Sequence, residues 1–390
     1  MLKKSIKFQY IFATAAILGF ASCEKDEETL PDLRTKIDYA KVTATTPYKS
    51  LFVSASGDST VDLKSGNDRY KIFQALNYYL GAALRDGKTL DATLMKNMFA
   101  NSGSPFTDIA SLKIVGAELN ASGVQLRNLT ASSKTTADAE AARVRIETLF
   151  GNMVTISNSV SATASKGVAG KLGTYLVDAK GIETAQIIQK SLIGALQLDY
   201  IGNVLLDKGL GADNRTLVSG KKYSQLEHNW DEAYGLLTLN PVYLAGSTDA
   251  LRGTSETFLG SYVWEYNKAN YAKIHPAFVK GRVAIVNNDM TELKTQATFI
   301  RTEMEKAIAA AAVGYLGKWK TGTTDAVRAH AIGEGLGFIY SLRFCNINGV
   351  DAKFSDDILN NLTNSTNGFW DLTNDKINAA ADAITAKFKL

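Results

Sequence analysis

Proline is scarce in this chain, with five residues in 390, and so are cysteine, with two, and histidine, with three. Few prolines leave long segments without a breaker, which favours helices. Two cysteines exclude a disulfide framework and a cysteine-built metal site. Cys345 lies in the apolar stretch Tyr340-Ser341-Leu342-Arg343-Phe344-Cys345, which predicts a buried, inert thiol. Alternating strand patterns are lacking, as is any apolar run of the roughly 20 residues a membrane helix needs. The sequence carries no His-Glu-x-x-His, no Gly-x-Ser-x-Gly and no phosphate loop. Gly333, Gly335 and Gly337 follow no strand and have the wrong spacing for a dinucleotide fingerprint. The formal charge is +4. The first 22 residues hold three lysines and no acid, so the remainder is nearly neutral, which argues against a nucleic-acid partner.

What is present begins with an address. Lys3, Lys4 and Lys7 precede an apolar run from Tyr10 to Phe20, and Ala21-Ser22-Cys23 follows. A basic start, a short apolar core and small residues before the cut make a secretory signal. The cysteine after two small residues resembles a lipobox, so Cys23 is the expected lipid attachment. Glu24-Lys25-Asp26-Glu27-Glu28 resembles a surface-export signal. Together these predict an outer-membrane, lipid-anchored protein facing outward. The expected organisation is a signal peptide over residues 1–22, a lipidated N-terminus and linker over 23–65, and a helical bundle over 66–390. The linker assignment rests on a charged start, Thr/Ser-rich composition, Pro31 and Pro47.

Helical spacing predicts an all-α, multi-helix bundle. Asn67-Asp68 would cap a helix to about Arg85, and Thr89-Leu90-Asp91 would open another. Further helices are expected at 136–154, 182–208, 221–239, 255–270, 276–287, 290–319, 325–346 and 374–388. Gly209 and Gly211 would end the most apolar of them. Tyr262, Trp264, Tyr266 and Tyr271 read as core contacts rather than a sugar platform.

The candidate chemistry rests on the histidines. Both His228 and His330 are followed by Glu four residues on, Glu232 and Glu334, and by Gly three later, Gly235 and Gly337. Positions i, i+3, i+4 and i+7 share a helix face, so His228, Asp231 and Glu232 form one stripe and His330 and Glu334 another. A glycine on such a stripe admits close approach of a helix or a ligand. His and carboxylate one turn apart is how helical bundles hold divalent metals. Facing each other, the stripes would form one centre suited to iron, manganese or zinc. The alternative is a structural His–carboxylate network, with Arg328 and Arg343 near enough in sequence to occupy the acids. Tyr223, Leu226, Trp230, Ala233 and Leu237 lie opposite the first stripe as the expected core face, while the second helix is apolar nearly all round and therefore buried. His275, before Pro276, is expected at a helix start.

The stretch Glu227-His228-Asn229-Trp230-Asp231-Glu232-Ala233-Tyr234-Gly235 resembles the hallmark of the DUF4856 family of bacterial lipoproteins, itself similar in outline to the imelysin-like (M75) proteins. The latter resemblance implies two pseudo-repeated helical lobes, a link to iron uptake, and a Gly-x-His-x-x-Glu motif onto which His228 and Asp231 map. Leu226 stands where that motif has Gly, and the acid is Asp. Three functions follow as expectations. The first is binding of a metal or metal-bearing ligand, with an outer-membrane uptake partner. The second is an imelysin-type metallopeptidase, with His228 as ligand and Glu232 as base. The third is a non-catalytic interaction or carbohydrate-binding protein. The absence of a defensible nucleophile–base set leans against an enzyme.

Overall fold

The structure is a computed structural model and describes residues 33–237 and 256–390. The predicted signal, Cys23, and the expected helix ends at 238–239 and 255 lie outside the described residues.

Helices dominate, as the scarcity of breakers predicts. In chain order they are α1 (Lys64–Leu80), α2 (Ala92–Ala100), α3 (Thr136–Ser157), α4 (Thr184–Leu192), α5 (Gln225–Leu237), α6 (Phe258–Tyr266), α7 (Lys268–Val286), α8 (Met290–Thr321), α9 (Asp325–Ser341), α10 (Ala352–Thr363) and α11 (Asn374–Phe388), with shorter turns between. Their starts follow capping chemistry. Asp91 accepts from the N–H groups of Thr93 and Leu94, Thr135 from Asp138, Thr324 from Val327 and Asp351 from Phe354. The one two-stranded sheet among the described residues is a short antiparallel hairpin, β1 (Gly170–Leu172) with β2 (Tyr175–Val177), pairing Gly170 with Val177.

Four expectations need correction. The first helix starts at Lys64, where the Asp62 carboxylate accepts the Lys64 N–H at 2.9 Å, so Asn67 is interior. Pro276 lies inside α7 rather than at its start, and buried Tyr271 and Ile274 anchor the turns before it. Helix α10 is an element that the helical spacing does not predict, because its apolar positions are few, although its Asp351 cap is a readable signal. The segment expected as one apolar helix over 182–208 winds as α4 and then as a π-helix, Ile193–Leu205. There the Ala195 carbonyl is drawn out to the N–H of Ala131 at 2.7 Å. Ser341 packs so closely on Gly194 that a Cβ there would lie 2.2 Å from its Oγ.

Helix α8 lies at the centre, packed against α6, α7, α9 and α11, while α9 also packs along α4. Asp32–Leu390 is one compact unit, where the resemblance implied two lobes. It also begins far before residue 65. Tyr48 and Phe52 are buried, and the Tyr48 ring stacks on Tyr234 at 3.9 Å between centroids. Among the described residues no helix is long and apolar enough to cross a membrane.

Candidate functional site

Helix α5 carries the first stripe, and it is buried on nearly every side. Trp230 faces the core as expected, its indole N–H donating to the Phe278 carbonyl at 2.8 Å. The polar stripe, which would be solvated if the helix lay on the surface, is covered by residues 34–65 and by α1 and α7. The Arg282 guanidinium, wholly buried on α7, donates from Nε to Asp231 at 3.0 Å and from Nη1 to Glu227 at 2.7 Å. Arg34 adds a fork to Glu227 with Nε and Nη2 both at 2.6 Å. Asp231 also accepts from the Tyr48 hydroxyl at 2.8 Å and from the Asp62 N–H at 3.3 Å. Burial pushes the Asp231 carboxyl up to about 6, against the pull of Arg282. Glu232 pairs with Arg69 at 2.6 Å and accepts from the Ser65 hydroxyl at 3.0 Å.

His228 stands apart from this paired cluster. Its ring stacks on Tyr223 at 4.7 Å, and its Nε2 is 3.7 Å from Glu232, too far for a hydrogen bond. Its Nδ1 is buried with no hydrogen-bond partner. Burial lowers its pKa, which keeps the imidazole neutral at pH 7. It lines a groove of about 610 Å³ with Asp62, Asp68, Glu118 and Lys221 on the walls.

The second stripe has the opposite character. His330 is gripped at both nitrogens, Nδ1 to Glu183 at 2.7 Å and Nε2 to Glu334 at 3.2 Å, and its ring stacks on Tyr175 of β2 at 4.1 Å. Burial alone would lower its pKa, but the two carboxylates outweigh it and raise the value to about 9, so this imidazole is a cation. Glu334 is held down to about 2: burial opposes, and His330 and Lys190 win. Lys190, itself buried, lies 3.5 Å from Glu334, and the Tyr262 hydroxyl donates to the same carboxylate at 3.3 Å.

The two stripes therefore do not form the single centre expected from their spacing. Helix α5 packs on α1, the π-helix and α7, whereas α9 packs on α8 and α4, and no partner of His228 is a partner of His330. Among the described residues no group of three or more His, Cys, Asp or Glu side chains has metal-holding geometry. Cations do occupy the carboxylates, but Arg34, Arg69, Arg282 and Lys190 rather than Arg328, which donates to the Gly322 carbonyl, or Arg343, which pairs with Asp356. The two glycines admit helices. A Cβ on Gly337 would lie 2.5 Å from the Lys190 Cβ, and one on Gly235 would lie 3.1 Å from the Leu63 carbonyl. His275 is no capping residue: it is buried on α7, between the Tyr234 hydroxyl at 3.1 Å and the Thr46 carbonyl at 2.8 Å. The sequence pattern does not single out Arg282, although an arginine one turn after Phe278-Val279 and just before Val283-Ala284-Ile285 is itself a sign of a buried partner.

A family model described as a domain of unknown function, DUF4856, matches residues 48–390. The chain belongs to the DUF4856 family. The match takes in the Glu227–Gly235 stretch, both stripes and the docked Tyr48 and Phe52. No curated protein and no solved structure matches the chain, and nothing in these comparisons extends the family resemblance to the imelysin-like proteins.

Proposed function

We propose that this DUF4856 protein is an exported lipoprotein, anchored through Cys23 at the outer membrane, that binds a metal-bearing ligand without catalysis, His228 supplying the protein's donor. The observation carrying this reading is the His228 imidazole: neutral, with Nδ1 buried and unbonded and Nε2 set 3.7 Å from Glu232. That gap is too wide for a hydrogen bond, so Glu232, held by Arg69 and Ser65, leaves the imidazole available as a metal donor. With one protein donor in reach, a metal arriving with ligands of its own, as a chelate of iron, manganese or zinc, fits better than a bare ion needing a closed cage. The groove walls carry Asp62, Asp68 and Glu118 against Lys64 and Lys221, with Lys64 paired to Asp68 at 2.6 Å, which leaves one acid in excess for a cationic centre. His330 is excluded as a donor while both its nitrogens are engaged and it carries a charge. The peptidase alternative fares worse, because Glu232, its expected base, is tied to Arg69 and Ser65.

Spectroscopic titration of the lipid-free chain from residue 24 with iron protoporphyrin and with Zn(II), Mn(II) and Fe(III) citrate tests this. At least one is expected to bind, with an affinity loss of about tenfold or more in His228→Ala. Unchanged binding by His228→Ala, or no binding by any of the four, overturns it. For the anchor, Cys23→Ala is expected to move the protein from the membrane to the soluble fraction on cell fractionation; retention on membranes would refute the lipid attachment.

A further inference from the structure

A second concavity, unrelated to either histidine stripe, lies where α3, the end of α9 with its 3-10 extension Leu342–Phe344, and the start of α10 meet. Its volume is about 650 Å³, within the range of small-molecule sites. Tyr340 forms its centre. The Arg145 guanidinium sits 4.0 Å from the Tyr340 ring centroid and that of Arg343 sits 3.9 Å from it, so one ring holds two cations. Ala131, Ala142, Phe344 and Val350 supply apolar wall.

Not every cation in this cleft has a carboxylate partner. Arg343 is paired, with Asp356 at 2.5 Å. Asp351 is committed to the α10 N-terminus, accepting the Phe354 N–H at 2.8 Å, and Asp138 accepts the Thr135 hydroxyl at 2.8 Å. Arg145, half-buried, has no carboxylate within salt-bridge distance among the described residues; its contact is a 3.4 Å reach from Nη1 to the Ser191 hydroxyl. Lys134, which also lines the cleft, donates to the Asn346 side-chain oxygen at 3.1 Å and lies 5.6 Å from the Phe344 ring centroid, also without a carboxylate. An arginine drawn out of water beside a second arginine, with no anion of its own, is a costly arrangement that a bound anion relieves. Its planar fork, fixed by the Tyr340 ring, presents the geometry for two parallel N–H···O bonds to one oxyanion.

We propose that this cleft binds a small organic oxyanion, with the anionic group on Arg145 and Lys134 and an apolar body against Phe344 and Val350. The chemistry shared by a carboxylate, a sulfate ester and a phosphate ester is what the cleft reads, and the probes separate them.

Benzoate, phenyl sulfate and phenyl phosphate, with benzamide as the neutral control, would be titrated into the mature chain in detergent by calorimetry and ligand-observed NMR. One or more of the oxyanions is expected to bind and benzamide is not. Whichever binds most tightly assigns the anionic group. Arg145→Met is expected to lower its affinity about tenfold or more, Arg145→Lys to lower it less, and Lys134→Met to lower it a few-fold. Lys134→Met keeps the proposal testable should Arg145→Met lose its helical circular dichroism. Equal binding of benzamide, no oxyanion binding at millimolar concentration, or full affinity in folded Arg145→Met and Lys134→Met overturns it.

Discussion

Arg282→Ala is expected to cost the domain about 3–5 kcal/mol, the penalty of breaking a buried ion pair from one side. Arg282 is wholly buried, and its guanidinium joins α5, α7 and the N-terminal segment at one point: Asp231, Glu227 and the Thr60 hydroxyl at 3.3 Å, under the Phe52 ring at 5.0 Å. Without it, Glu227 keeps Arg34, but the wholly buried Asp231 keeps only a tyrosine hydroxyl and a backbone N–H and has no cation. Arg282→Lys is expected to rescue little, since one ammonium cannot reach both acids with the fork's geometry. Arg282→Met combined with Asp231→Asn is expected to recover part of the loss, because it removes the stranded Asp231 charge and leaves Glu227 paired with Arg34. Urea unfolding followed by circular dichroism measures all three. A loss under about 1 kcal/mol for Arg282→Ala would mean that the cluster is far more solvated than its burial indicates.

The second large effect is a decline in stability at alkaline pH. The folded pKa of His330 is about 9, above the 6.5 of a free imidazole, so its ion pairs with Glu183 and Glu334 stabilise the fold fully below pH 6.5. That contribution is lost as pH rises from about 6.5 through about 9. At 1.36 kcal/mol per pH unit the shift corresponds to roughly 3 kcal/mol, which solvent screening of a partly exposed ring brings to about 2 kcal/mol. Glu334 works in the other direction: its folded value of about 2 makes its contribution complete above pH 4.5 and lost toward pH 2. The comparison to make is wild type against His330→Gln, because nearby Lys190, whose pKa burial lowers, contributes a pH dependence of opposite sign. The difference in unfolding free energy between the two proteins is expected to shrink between pH 6.5 and 9. A constant difference across that range would show that His330 is not held protonated.

Local pattern revealed the helices and hid the site. Spacing of 3.6 residues correctly groups His228, Asp231 and Glu232 on one face, and capping at Asp91 and Thr324 follows from side-chain chemistry next door in sequence. What decides the fate of that face comes from afar: Arg34 reaches Glu227 across 193 residues, Tyr48 reaches Asp231 across 183, and Glu183 reaches His330 across 147. No periodicity encodes such partners. The same limit explains residues 34–63, whose Thr/Ser-rich composition lacks helical period yet whose Tyr48 and Phe52 complete the core. Two short patterns of identical spacing thus acquired opposite electrostatics, a neutral imidazole beside a groove and a cationic one between two acids.

The grip of Arg34 on Glu227 also sets a length. If Cys23 carries the lipid, eleven residues separate the anchor from that fork, and a fully extended chain of that length spans at most about 40 Å. The leash is therefore about a quarter of what a linker running to residue 65 would allow. The end of the domain it holds is the end bearing His228, next to Glu227. On the proposed anchoring and binding, a ligand in that groove would stay within about one domain diameter of the bilayer, within reach of a neighbour in the same membrane.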